Sequence, residues 1–175
     1  MSLRNWFGLI FAFVCIGPAR PAAATTHEMA PYVGSAQLEE MKKLAGDWKG
    51  THQMGEEASP AEVQYYVTSN GSAVVEKLFP GTPHEMISVY HDKNGKLMMT
   101  HYCAMGNQPE MDLVASDDKH LEFSLSPNST IDPAVEGHMH ALTILLNDSG
   151  AIEQRWTFYE NGQPSGTTVI TLTKQ

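Results

Sequence analysis

The feature that most constrains the fold is a regular series of short strand-like runs that fills the chain from Asp47 onward. Turn chemistry such as Asn-Gly separates these runs. They cover residues 47–54, 61–68, 73–79, 84–91, 96–103, 110–116, 119–125, 137–147, 151–159 and 166–173. Short connections favour antiparallel neighbours in a meander. About ten strands exceed what a flat sheet tolerates, so the sequence predicts an all-β fold, an antiparallel up-and-down β-barrel of about ten strands.

One short N-terminal helix is predicted ahead of the strands. The stretch "SAQLEEMKKLAG" combines an N-cap, an apolar stripe and a terminating glycine, which are Ser35, then Leu38, Met41 and Leu44, then Gly46. The barrel domain is therefore expected to span residues 35–175. Residues 25–34 are expected to form a flexible lead-in.

Residues 1–24 have the pattern of a secretory signal peptide. Arg4 precedes the apolar run "WFGLIFAFVCIG", which is short for a membrane span, and "PARPAAA" supplies a small-residue cleavage site. Cleavage is predicted after Ala24, with Ala22 and Ala24 as the recognition pair; an uncleaved anchor is the alternative. We expect a periplasmic or secreted protein without stable membrane insertion after cleavage.

Charge and cysteine content narrow the partners of the mature chain. The net charge of the chain is −9. Removal of residues 1–24 makes it −11, because Arg4 and Arg20 are lost and that segment contains no acidic residue. Such an acidic chain repels phosphate backbones, which argues against nucleic acid as a partner. Cys15 lies in the signal peptide, so Cys103 is alone and no internal disulfide is expected.

The stretch "LAGDWKGT" carries a Gly-x-Trp motif, Gly46 and Trp48, at the start of the first strand. In this position the motif resembles that of the calycin-like barrels, which include lipocalins, fatty-acid-binding proteins and nitrobindin-like haem proteins. Small secreted bacterial proteins of the lipocalin-like group look similar over the whole mature chain. The resemblance implies a ligand-binding barrel in which Trp48 plugs the closed end.

Two departures from these families bear on the expected ligands. In lipocalins an arginine from a late strand usually packs behind the tryptophan that corresponds to Trp48. The last strand here has no arginine, and Arg155 in the preceding strand is the only substitute. The nitrobindin-like pattern implies haem, but His52 stands in place of its third glycine. No histidine follows His140, whereas that family takes its haem ligand from late in the chain.

Histidines recur beside apolar residues on one face of three predicted strands, since strand residues two apart point the same way. His101 shares a face with Met99 and Cys103, His138 and His140 share one with Leu142, and His84 shares one with Met86. If these faces line the lumen, they form a polar cluster in an apolar wall, as in small-molecule pockets. The predicted ligand-binding residues are Trp48, Glu76, His84, His101, Cys103, His138, His140 and Arg155.

Three functions remain open from the sequence. The leading hypothesis is a binding protein that holds a small, partly apolar ligand in the lumen, anchored by the histidines, without covalent chemistry. The second is a metalloprotein or enzyme: His138 and His140 could bind zinc together with His101, or with Cys103 in its place, and Cys103 beside a histidine could act as a nucleophile. The third is a structural barrel with a filled lumen.

Overall fold

The computed structural model describes residues 29–175, which form a closed ten-stranded antiparallel barrel with one short helix. The helix α1 spans Ala36–Lys43. The strands are β1 Gly46–Met54, β2 Glu57–Thr68, β3 Ala73–Leu78, β4 Met86–Lys93, β5 Lys96–Tyr102, β6 Glu110–Asp117, β7 His120–Leu125, β8 His138–Leu146, β9 Ile152–Glu160 and β10 Gln163–Lys174. Each strand pairs with the next, and β1 pairs with β10 to close the ring. The predicted fold class is confirmed. The predicted signal peptide lies outside the described residues.

Alternation along the strands separates a packed interior from an outer face. In β2, Ala61, Val63 and Tyr65 are buried, whereas the intervening residues are exposed. The inner faces of all ten strands contribute buried side chains to one hydrophobic core. Fully buried large side chains of the strands include Tyr90, Phe123, Met99, Met111, Leu142, Ile144 and Ile170.

The helix closes one end of the barrel, which we call the helix end. Ser35 caps α1, as predicted, by accepting from the amide of Leu38, and it also donates to Asp92 Oδ1 at 2.7 Å at the end of β4. Leu38 and Met41 are completely buried. The Trp48 indole donates to the Leu44 carbonyl at 2.8 Å, so this tryptophan joins the helix to the core.

The segment that leads into the helix has no regular secondary structure from residue 29 to 34. It is nevertheless held to the helix end, because the Tyr32 amide donates to the Asn70 carbonyl and the Asn70 side chain donates to the Ala30 carbonyl, both at 2.8 Å. Within residues 29–175, no helix has the length and apolar character needed to span a bilayer.

The opposite end of the barrel is the mouth, which five connections surround. Strands alternate in direction, so every connection that leaves an odd-numbered strand lies there. These mouth loops are residues 55–56, 79–85, 103–109, 126–137 and 161–162. The candidate site is built from the inner face between this rim and the packed interior.

Candidate functional site

A buried carboxyl group, that of Glu76 on β3, organises the polar part of the interior. Its side chain is fully buried on the inner face, as the alternation with Val74 and Leu78 allowed. It accepts hydrogen bonds from Tyr65 Oη at 2.6 Å and from Tyr90 Oη at 3.0 Å, and a further one from the Gln154 amide. Because Gln154 lies on β9, this last contact crosses the barrel from one wall to the other.

The neighbours of Gln154 fix which way its amide points. The Trp156 indole N–H can only donate, and it donates to Gln154 Oε1 at 3.0 Å. The amide nitrogen of Gln154 therefore faces Glu76 and Tyr65. Burial is the largest influence on the pKa of Glu76 and raises it above the usual range. Hydrogen bonds from Tyr65, Ser88, Gln154 and Tyr90 act in the opposite direction and offset part of that rise.

His101 on β5 lies beside this network through Ser88, since Glu76 pairs with Ser88 and Ser88 pairs with His101 across the ladder. Its side chain is 1 % exposed, and Nδ1 lies 3.0 Å from Ser88 Oγ. Burial lowers the pKa of His101 to about 4, so the imidazole is neutral at physiological pH. Its other nitrogen, Nε2, is buried and has no hydrogen-bond partner.

The contact between His101 and Ser88 is compatible with either neutral tautomer of His101, because the Ser88 hydroxyl group can donate to Nδ1 or accept from it. With the proton on Nδ1, Nε2 carries a lone pair; with the proton on Nε2, that nitrogen is a donor. In both cases the inner face presents one buried polar atom that the protein itself does not satisfy.

Contacts between opposite walls fill the middle of the lumen. The ring centroids of His101 on β5 and Trp156 on β9 lie 4.6 Å apart. The Glu76 carboxyl group on β3 likewise contacts the Gln154 amide on β9. A flat macrocycle of haem size does not fit at this level without displacing these side chains. A ligand that leaves these contacts in place has to bind nearer the mouth.

At the rim, a pocket of about 320 Å³ opens between the first two mouth loops. Its lining is His52, Ser59, Pro60, Phe79, Thr82 and His84. The rings of His52 and Phe79 meet edge to face at 5.3 Å. His84 is exposed and precedes β4, which begins at Met86, so it belongs to the rim and not to the strand face on which the sequence placed it.

A β-bulge redirects the two histidines of β8. Leu142 pairs with Trp156 and Met139 pairs with Phe158, so one extra residue, His140, is inserted in the ladder. His138 then pairs with Tyr159, on the opposite face from Leu142 and Trp156. The predicted common face of His138, His140 and Leu142 is therefore wrong, since the alternation is broken between them.

His138 and His140 instead form a cluster with Tyr159. The two imidazoles are joined by a 3.0 Å hydrogen bond between His138 Nε2 and His140 Nδ1, and the ring of His140 stacks on that of Tyr159 at 3.8 Å. The Glu136 carbonyl accepts from His138 Nδ1 at 2.7 Å, so His140 donates to His138. Burial and the neighbouring His138 lower the pKa of His140.

The remaining predicted site residues lie apart from these groups. Cys103 follows β5 at the mouth, partly exposed, in a turn that the Gly106 amide closes by donating to its carbonyl. Arg155 is exposed and bonds Glu153 at 2.6 Å on the outer face. It does not contact Trp48, over whose ring Lys174 lies instead.

No group of three or more His, Cys, Asp or Glu side chains with metal-binding geometry occurs among residues 29–175. His101 contacts Ser88 and Trp156, while His138 and His140 contact each other. The zinc site of His101, His138 and His140 stays a prediction, and no contact in the structure brings the three imidazoles together.

Several residues of the site were not singled out from the sequence, above all Tyr65, Gln154 and His52. Each of them interrupts an apolar face: Gln154 lies between Ile152 and Trp156 at two-residue spacing. A polar residue flanked in this way on a barrel strand is the signal that would have found them.

No sequence model of a known protein family matches this chain, and no curated protein matches it. The resemblance to calycin-like barrels therefore stays a prediction, and the contacts of the mouth and the inner face are the basis for inferring a function.

Proposed function

We propose that this protein binds a small, partly apolar molecule at the mouth of its barrel and makes no covalent change to it. The observation that carries the proposal is the rim pocket of about 320 Å³. Phe79 and Pro60 supply apolar surface there, and His52 and His84 supply polar groups. That mixture and size are typical of small-molecule sites.

Partly buried apolar side chains extend this surface from the rim toward the interior. Met86, Met139 and Phe79 pack against the core without being fully covered by it. The Glu76–Gln154 and His101–Trp156 contacts form the floor. The proposed ligand is therefore held near the mouth and not in the centre of the lumen.

A neutral solvatochromic dye such as Nile red tests the proposal. We expect saturable fluorescence enhancement with the wild-type protein and at least fivefold weaker binding to Phe79→Ala, because the variant loses an aromatic wall of the pocket. Tyr66→Ala removes an exposed ring from the outer face and is the matched control. Melting temperatures of both variants separate lost binding from lost folding.

A structural barrel with a filled lumen is the second candidate, and the contacts that cross the interior favour it. Equal dye binding by wild-type protein and Phe79→Ala, or no saturable binding at all, would support this candidate against the first.

We also propose that the protein is exported and that its mature form begins at Thr25. Expression of the full chain in a Gram-negative host, followed by N-terminal sequencing of the periplasmic fraction, tests this. A chain retained in the cytoplasm with residues 1–24 attached would contradict it.

A further inference from the structure

We infer that the ligand of the mouth is an uncharged or cationic amphiphile with an O–H or N–H donor, and not an anionic one such as a carboxylate. This inference rests on the proposed function, whose ligand it assigns to a chemical class. The charges of the mouth loops and the unpartnered nitrogen of His101 on the inner face support it.

The first observation is the one-sided charge of the mouth. Acidic residues lie in or directly beside all five loops, and they are Glu56, Glu57, Glu85, Glu110, Asp132, Glu136 and Glu160. None of the five loops contains a lysine or an arginine. The negative potential of such a rim attracts cations and repels anions before they enter.

The second observation is where the basic side chains lie instead. Lys49 and Arg155 alternate with buried residues and project from the outer face. Lys77 also projects outward, and it is already paired with Glu85 of the second mouth loop at 3.6 Å. The others belong to the helix end, and they are Lys42, Lys43, Lys93, Lys96, Lys119 and Lys174. The lining of the rim pocket contains no lysine or arginine. A carboxylate bound in that pocket would therefore be desolvated without a lysine or arginine beside it, which is costly.

The third observation is the unpartnered nitrogen of the inner face. His101 Nε2 is buried and without a partner, and with the proton on Nδ1 it carries a lone pair. Met86 lies next to Ser88 on the same face of β4 and pairs with Leu78, so it stands between the rim and the His101 level. A donor group that displaces the Met86 side chain can satisfy Nε2, whereas a carboxylate adds another acceptor.

Decanol, decylammonium and decanoate, used below their micelle concentrations, compare three head groups on one chain. Competition against Nile red should give at least tenfold tighter binding of decylammonium and decanol than of decanoate. Decanoate that binds as tightly as the other two would overturn the inference while leaving mouth binding intact. A dye that does not bind saturably would remove the proposed function, and the inference with it.

Two sets of variants test the separate contributions. Glu56→Lys with Glu57→Lys should reduce the preference for decylammonium over decanoate at least threefold. Glu40→Lys with Asp118→Lys makes the same net charge change at the helix end and should leave the preference unchanged. An equal effect of both pairs would contradict a local role of the mouth charges.

His101→Phe keeps a ring against Trp156 and removes the Nε2 nitrogen. Decanol affinity should fall about fivefold, as expected for one lost hydrogen bond, and the melting temperature shows whether the variant is folded. An unchanged decanol affinity in a folded variant would show that the ligand does not reach Nε2.

Discussion

At the scale of single residues, His101 couples the interior of the barrel to pH. Its pKa in the folded protein is about 4, against 6.5 for an exposed histidine. Between these values the unfolded chain binds a proton that the folded protein does not bind. Stability contributed by neutral His101 is therefore present above pH 6.5 and is lost as the pH falls toward 4.

We expect His101→Asn to abolish about 3 kcal/mol of this pH dependence, the free-energy equivalent of the pKa difference. Asparagine keeps an N–H for Ser88 and does not titrate. Urea unfolding from pH 4 to pH 7 measures the effect as a difference between wild type and variant. His84→Asn, at an exposed position, should retain the wild-type dependence, and a parallel loss in both variants would count against His101 as the source.

Glu76 is the second residue whose chemistry the interior depends on. Glu76→Gln replaces an acceptor-only group by one with an N–H₂ that faces donors from Tyr65 and Gln154. We expect a loss of about 2 kcal/mol or more in the free energy of unfolding, because at least one buried polar group is left unpaired. Denaturant titration measures it.

Glu62→Gln provides the matched comparison, since Glu62 forms an exposed ion pair with Lys49 on the outer face. Exposed pairs of this kind contribute little to stability. If both glutamine variants lost the same stability, the buried network would have no special role.

At the scale of secondary-structure elements, the sequence predicted all ten strands and the helix. Period-two alternation and Asn-Gly turns are local signals, and Ser35 with Leu38 and Met41 marked α1 in the same way. The bulges were not predictable, because nothing in the type of an inserted residue such as His140 distinguishes it from the residues of a regular strand. A second register shift, between Leu113 and Ala115, shares this property.

The site was predicted less completely than the strands, for a related reason. Alternation with apolar residues allowed Glu76 and His101 to lie on the inner face without deciding it, and a single bulge was enough to remove His138 from that face. Gln154 joins Glu76 only because β9 and β3 face each other across the closed barrel. Such contacts depend on the ring of strands as a whole, which no local pattern encodes.

Closure of that ring depends on Gly50, in the seam between β1 and β10. A Cβ atom at this position would lie 1.8 Å from the Thr171 carbonyl oxygen, which is backbone and cannot move aside alone. We expect Gly50→Ala to cost about 3 kcal/mol or more, because the seam has to open to accept a methyl group.

Gly166→Ala on β10 is the control for this variant, since a Cβ there meets nothing within 4 Å. Its free energy of unfolding should be unchanged or slightly raised. Thermal and urea unfolding of the two variants compare them directly, and a Gly50→Ala protein as stable as wild type would exclude the tight seam.

At the scale of the whole molecule, a closed barrel has no free edge, so local opening must begin at one of its ten seams. The seam between β5 and β6 is the shortest: Met98–Thr100 pairs with Glu110–Asp112, and the bonds from His101 and Cys103 to the following loop extend it. The β1–β10 seam pairs Trp48–Met54 with Thr168–Lys174. Fewer ladder bonds leave less free energy to overcome before strands separate.

Native-state hydrogen exchange should therefore find at least tenfold faster exchange for amides bonded across the β5–β6 seam than for those across the β1–β10 seam. This order also has a consequence for binding, because His101 and Cys103 border the weaker seam next to the mouth. A ligand held there should slow exchange at β5–β6 and leave β1–β10 unchanged. Exchange that begins at the β1–β10 seam would mean that closure by the first and last strands, and not the short seam beside the mouth, limits the stability of the barrel.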